Sequence, residues 1–77
     1  MNQERRNQIE IILNRLEDVQ SDVMKILDEE EHYRDSIPEN FQDSAQYEQS
    51  YAVCDDLSDA ADGLAVAVSS IVSAIAE

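Results

Sequence analysis

The chain has no tryptophan and only one cysteine, one proline, one glycine and one histidine. Past Arg34 it has no lysine or arginine at all. Each shortage excludes something. A lone Cys54 cannot form an internal disulfide, which points to a reducing, cytoplasmic compartment. A single glycine cannot build a Gly-rich phosphate loop. The opening Met1-Asn2-Gln3-Glu4-Arg5-Arg6 leads into no apolar h-region, so a secretory signal is not expected. The longest uncharged apolar run, Leu64 to Ala76, has thirteen residues. A membrane span needs roughly 20, so a place in a protein core, and no membrane partner, is expected.

What the chain has instead is negative charge. Residues 1–34 carry five basic and nine acidic side chains, and residues 35–77 carry nine acidic ones and no basic one. The net charge is −13 over 77 residues. Such a balance argues against direct nucleic-acid binding and favours a partner with a basic surface. An acidic surface that merely keeps a small protein soluble has the same composition. At this length one small domain is expected, close to the lower limit for a single core.

Helical spacing dominates both halves. Ile9, Ile12, Leu16, Val19, Val23 and Ile26, followed by Glu30, Tyr33 and Ile37, alternate at intervals of 3 and 4. This heptad pattern predicts one helix over residues 3–35, with Leu13 and Leu27 just outside the stripe and widening it. Tyr47, Ser50, Cys54, Leu57, Ala61, Leu64, Val68, Ile71 and Ile75 keep the same intervals. They predict a second helix over 44–76, with Gly63 on its outer side.

Between the two, Ser36-Ile37-Pro38-Glu39 reads as a capping box with Pro38 in the first turn. Asp43-Ser44-Ala45-Gln46 offers a further cap. A corner of residues 36–43 this short makes the helices antiparallel neighbours. Folding about residue 40 then pairs residues whose numbers sum to 80, such as Ile12 with Val68 and Leu16 with Leu64. The one charged residue of the first stripe, Glu30, falls opposite Ser50, the hydroxyl of the second. The expectation is an all-α, coiled-coil-like antiparallel two-helix hairpin.

A hairpin covers one stripe on each helix, and this chain has more apolar surface than that. Leu13 and Leu27 on the first helix, with Ala65, Val66 and Val72 on the second, lie beyond it. They are the candidates for an oligomer interface, a homodimer forming a four-helix bundle. The other reading keeps that surface for a different protein.

Catalytic and metal chemistry find little support. Asp28 and His32 stand at i, i+4, the spacing of metal pairs, but no second histidine exists. Cys54 falls in the seam, where it acts as a small hydrophobe far from any base. No cofactor and no enzymatic activity are expected. Two surface features carry more. Asp55, Asp59 and Asp62 share one face of the second helix, with Asp56 beside them and Glu48 further back. Such a row resembles the spacing of charge along a nucleic-acid strand, though a plain solvated face looks the same. The four aromatics, Tyr33, Phe41, Tyr47 and Tyr51, cluster about the corner. They read either as a plug on the open end or as contact residues, Tyr51 first among them.

The opening Met1-Asn2-Gln3-Glu4-Arg5-Arg6 and the corner Ile37-Pro38-Glu39-Asn40-Phe41-Gln42-Asp43-Ser44 resemble a group of small acidic helical proteins of phages and prophages. In that group a similar Pro-Glu-x-Leu-Gln-x-Ser corner joins two charged helices. This chain departs from it at Phe41, where Leu is usual, and in its apolar C-terminal end. The resemblance implies a bacterial host cell and a small protein that blocks a host protein, such as a CRISPR effector. No functional residue is carried over by it. The leading expectation is thus a non-enzymatic, acidic inhibitor that occupies a basic, nucleic-acid-binding surface of a host protein through Glu48, Tyr51, Asp55, Asp56, Asp59 and Asp62. The alternative is a structural or chaperone-like module that binds through its apolar C-terminal helix.

Overall fold

A computed structural model describes residues 1–77 as two long helices joined by a tight corner. Helix α1 spans Gln3–Asp35 and helix α2 spans Ala45–Ala76. They lie antiparallel in a rod of 59 × 14 × 14 Å. There is no strand, and the hairpin is all-α.

Local chemistry explains each boundary. The Asn2 side chain accepts a hydrogen bond from the Arg5 N–H at 2.8 Å, which satisfies one of the free donors at the start of α1. At the other end Ser36 stays in the right-handed helical region (φ −80°, ψ −12°), and its hydroxyl donates to the Tyr33 carbonyl at 2.7 Å. The expected capping box at Ser36 is therefore absent. A box needs an extended residue at its first position, and Ser36 instead closes α1. A single 3-10 turn, Glu39–Phe41, follows Pro38, which offers no side-chain cap. Ser44 is the true cap of α2: it is extended (φ −72°, ψ 155°), and its hydroxyl accepts from the Tyr47 N–H at 3.2 Å.

Three side-chain hydrogen bonds cross between the helices, Gln46 to Tyr33 near the corner and two further along that fix the register. The Ser50 hydroxyl donates to the Glu30 carboxylate at 2.9 Å. The Arg6 guanidinium donates to the Ile75 carbonyl, in a last turn of α2 that has no basic residue of its own. The Ser50–Glu30 bond is the expected sum of 80, and the Arg6–Ile75 bond is a sum of 81.

That single step matters for α1. The whole predicted stripe of α2 is turned inward, with Ser50, Cys54 and Ala61 buried. On α1 only half of the predicted stripe is: Ile9, Leu16, Val23 and Glu30, with Ile37 just past the helix end. The alternating partners are Arg6, which the expected stripe did not reach, and Leu13, Gln20, Leu27 and Arg34, each one residue later than the expected Ile12, Val19, Ile26 and Tyr33. Ile12, Val19 and Ile26 instead face outward, 47 %, 46 % and 53 % exposed. The rungs Ile12–Val68 and Ile26–Cys54 are thus replaced by Leu13 opposite Val68 and Leu27 opposite Cys54. Helix α1 carries two apolar stripes one residue apart, both with heptad spacing, and periodicity alone does not choose between them. The inner choice places Arg6 on the end of α2 and Arg34 over Tyr51, two contacts that the other stripe forgoes.

Helix α2 also passes a test that its thirteen-residue run had failed. Taken over eighteen residues, with at most two charges, it reaches a mean hydropathy of 1.5, so by length and composition it is apolar enough to cross a membrane.

Candidate protein-binding face

The outer side of α2 is a line of carboxylates. Glu48, Asp55 and Asp62 recur every seven residues and so stand one above another, about 10 Å apart along the axis. Asp56 and Asp59 flank that line, and all five are exposed. The two ion pairs of the molecule both lie on α1, between His32 and Asp28 (3.6 Å) and between Arg34 and Asp35 (3.0 Å). The carboxylates of α2 form no ion pair, and Asp55 and Asp59 repel at i, i+4.

Next to this line a shallow hollow of about 180 Å³ opens between the helices. Leu27 and Cys54 form its floor, and Glu31, Arg34, Tyr51, Asp55 and Ser58 form its walls. The Arg34 guanidinium carbon sits 5.6 Å from the centroid of the Tyr51 ring, a cation–π contact. Its hydrogen bond to Asp35 is the main cause that holds the Arg34 pKa above its usual value. Tyr51 in turn leans on Tyr47, with ring centroids 6.3 Å apart and planes at 41°.

Of the residues singled out in the sequence, Tyr51 and Asp55 are brought together here. Asp59, Asp62, Asp56 and Glu48 lie along the same helix outside the hollow. Glu31, Arg34 and Ser58 were missed. Arg34, as the last cation before an unbroken acidic stretch, was the available signal, but placing it beside Tyr51 required the shifted register.

The aromatics make no plug. Phe41 and Tyr51 are equally exposed, at 57 %, and Tyr33 contributes a hydroxyl that accepts from the Gln46 amide on the opposite flank. A three-residue 3-10 turn is too short to cover rings standing off both helices.

Reactive groups are poorly placed. Cys54 is buried, and burial pushes its thiol pKa above the usual value, leaving little thiolate near neutral pH. His32 is exposed and points away, its Nδ1 2.7 Å from the Asp28 carbonyl. No three His, Cys, Asp or Glu side chains converge as metal ligands.

The expected oligomer interface is corrected in part. Leu27 is buried inside the hairpin and Leu13 is half-buried there, so neither is free for a second chain. Their place one residue from the predicted stripe is the inner stripe itself. Ala65, Val66 and Val72 do lie on the surface, Val66 at 66 % exposure.

No family model matches the chain, and neither a curated protein nor a solved structure is significantly similar to it. The phage resemblance gains no support from these comparisons.

Proposed function

We propose that this hairpin is a non-enzymatic binding module that lays the acidic side of α2 against a basic, nucleic-acid-binding surface of another protein. One observation carries the reading: Glu48, Asp55, Asp56, Asp59 and Asp62 are all exposed, and none of them is held in an ion pair. A surface that tolerates internal repulsion gains most from an external cation cluster. Tyr51, held by Arg34 at the edge of the hollow, supplies a rigid apolar anchor beside the charge. In the setting that the phage resemblance implies, the partner is a cytoplasmic host protein, and the effect is inhibition of a defence complex such as a CRISPR effector.

The test is competition. Proteins captured from a bacterial lysate on the immobilised hairpin should be nucleic-acid binders, released by added duplex DNA and by salt. A D55N/D59N/D62N variant should lose that capture. Capture that survives both the DNA and the triple substitution overturns the reading.

A second reading rests on Val66 and Val72, large apolar residues exposed on the C-terminal half of α2. There the chain is a structural or chaperone-like module that holds its partner by apolar contact. Polar substitutions at Val66 and Val72 then abolish capture, and the Asn variant retains it.

A further inference from the structure

Helix α1 turns its second apolar stripe to one flank of the hairpin, the flank marked by the Tyr33–Gln46 bond. Ile12, Val19 and Ile26 form a ridge of large side chains there. At the same level on α2, every seventh residue counted from Gln46 is Val53, Ala60, Ala67 and Ala74. Gly63 lies between Ala60 and Ala67 on that side, and a Cβ added to it would meet nothing within 4 Å. The flank therefore pairs a ridge with a shelf; neither the Ile12–Ile26 column nor the Val53–Ala74 column contains a charge, while Arg15, Asp22 and Glu29 border the ridge and Asp56, seven residues before Gly63, borders the shelf. The opposite flank differs. There the corresponding positions of α1 include Glu10, Glu17 and Glu31.

The amount of uncovered surface points the same way. The chain exposes 5696 Å², against about 4,700 Å² expected for a compact monomer of 8.7 kDa. The excess, about 1,000 Å², is comparable to the roughly 800 Å² that each partner contributes to a standard interface. A chain with a net charge of −13 meets its own copy with least repulsion where carboxylates are confined to the rim, and on this flank Asp22, Glu29 and Asp56 stand beside the apolar columns rather than in them.

We infer that the Ile12–Val19–Ile26 ridge and the Ala60–Gly63–Ala67 shelf form a self-complementary interface for a second copy of this chain. The ridge of each protomer seats on the shelf of its partner. Large side chains then meet small ones at the centre of the contact, as close helix packing requires. The hollow and the line of Glu48, Asp55 and Asp62 lie toward the other flank and stay open, with only Asp56 bordering this contact, so the inference does not depend on the reading of the acidic face.

Sedimentation equilibrium on the intact protein tests it. The wild type should sediment at twice the protomer mass. Val19→Glu places a charge on the ridge, and Gly63→Gln adds bulk to the shelf; each should raise the dimer dissociation constant at least about tenfold. Gly63→Gln also replaces the poorest helix former of α2 in open space, so its circular dichroism should be at least as helical as the wild type's. It carries the test if Val19→Glu loses helicity. The control Ala65→Gln, on the opposite flank, should remain dimeric. A monomeric wild type overturns the inference, and so does a dimer that survives Gly63→Gln or is broken by Ala65→Gln. A wild type that stays monomeric and floats with phosphatidylcholine vesicles assigns the apolar surface to a lipid and overturns it equally.

Discussion

Ser50 donates its hydroxyl hydrogen to the Glu30 carboxylate across the seam at 2.9 Å, and at 2 % exposure Ser50 is the most buried residue of the chain. The bond joins the only polar pair at which both helices interrupt their apolar stripes. It acts as a register lock, because sliding α2 by one turn would take the hydroxyl from the carboxylate to Leu27 or Arg34. Ser50→Ala removes the donor and leaves the carboxylate partly buried without it. The expected loss is about 1–2 kcal/mol, in the range for hydrogen bonds to charged groups near water. Urea denaturation of the two proteins measures it; equal midpoints would show that the bond adds nothing to the fold.

The two stripes of α1 make opposite predictions at adjacent residues. Leu27 is 9 % exposed against α2, whereas Ile26 is mostly in solvent. Leu27→Ala opens a space over Cys54 and should destabilise the hairpin by about 2–3 kcal/mol, the lower part of the range for core truncations because the seam is narrow. Ile26→Ala should change it by under about 0.5 kcal/mol, as surface substitutions do, when measured at concentrations too low for self-association. Thermal melts of both variants decide which stripe is inside. The reverse order would restore the register in which Ile26 faces Cys54.

That pair of residues also shows how far the sequence could be read. The helices, their ends and the antiparallel corner follow from spacing and capping chemistry. The stripe of α2 was legible because its other faces are too small or too acidic to compete. The stripe of α1 was ambiguous for a physical reason: Ile12, Val19 and Ile26 are as apolar as Leu13 and Leu27, and a heptad offset by one residue has identical intervals. The deciding contacts, Arg6 on the Ile75 carbonyl and Arg34 over Tyr51, involve charged residues that an apolar count discards. The hollow was invisible for the same reason, since its walls come from that uncounted edge of α1. The acidic line needed no tertiary information, because an exposed face on a known helix is set by spacing alone.

His32 supplies a pH dependence of known sign. Its pKa is raised, first by the bond between its Nδ1 and the Asp28 carbonyl and then by the Asp28 charge. The protonated ring also lies in the last turn of α1, where the helix dipole favours a cation. A folded pKa above the unfolded value of 6.5 means the contribution is complete below that pH and is lost as pH rises through the folded pKa. The effect is small because the ring is exposed. Titration of the ring protons by NMR should give a midpoint above 6.5, and His32→Gln should flatten the stability profile as pH rises from 6.5. A midpoint at or below 6.5 would separate the ring from Asp28.

The acidic line of α2 should reveal itself in stability before any partner is found. With a net charge of −13 and no cation on α2, repulsion among Asp55, Asp56, Asp59 and Asp62 opposes the helix that carries them. Salt screens exposed charges over a Debye length of about 10 Å at 0.1 M and about 30 Å at 0.01 M, so the line, with its seven-residue spacing of about 10 Å, repels fully at the lower salt and is partly screened at the higher. The melting temperature of the wild type should therefore rise as salt is added over that range. The D55N/D59N/D62N variant should melt higher than the wild type at low salt and respond less to added salt. Since the hairpin seam is untouched, the two proteins should converge when screening is complete. Differential scanning calorimetry in a salt series provides the measurement. Parallel salt dependences would mean that the line is already compensated, and the case for an external cationic partner would lose its physical basis.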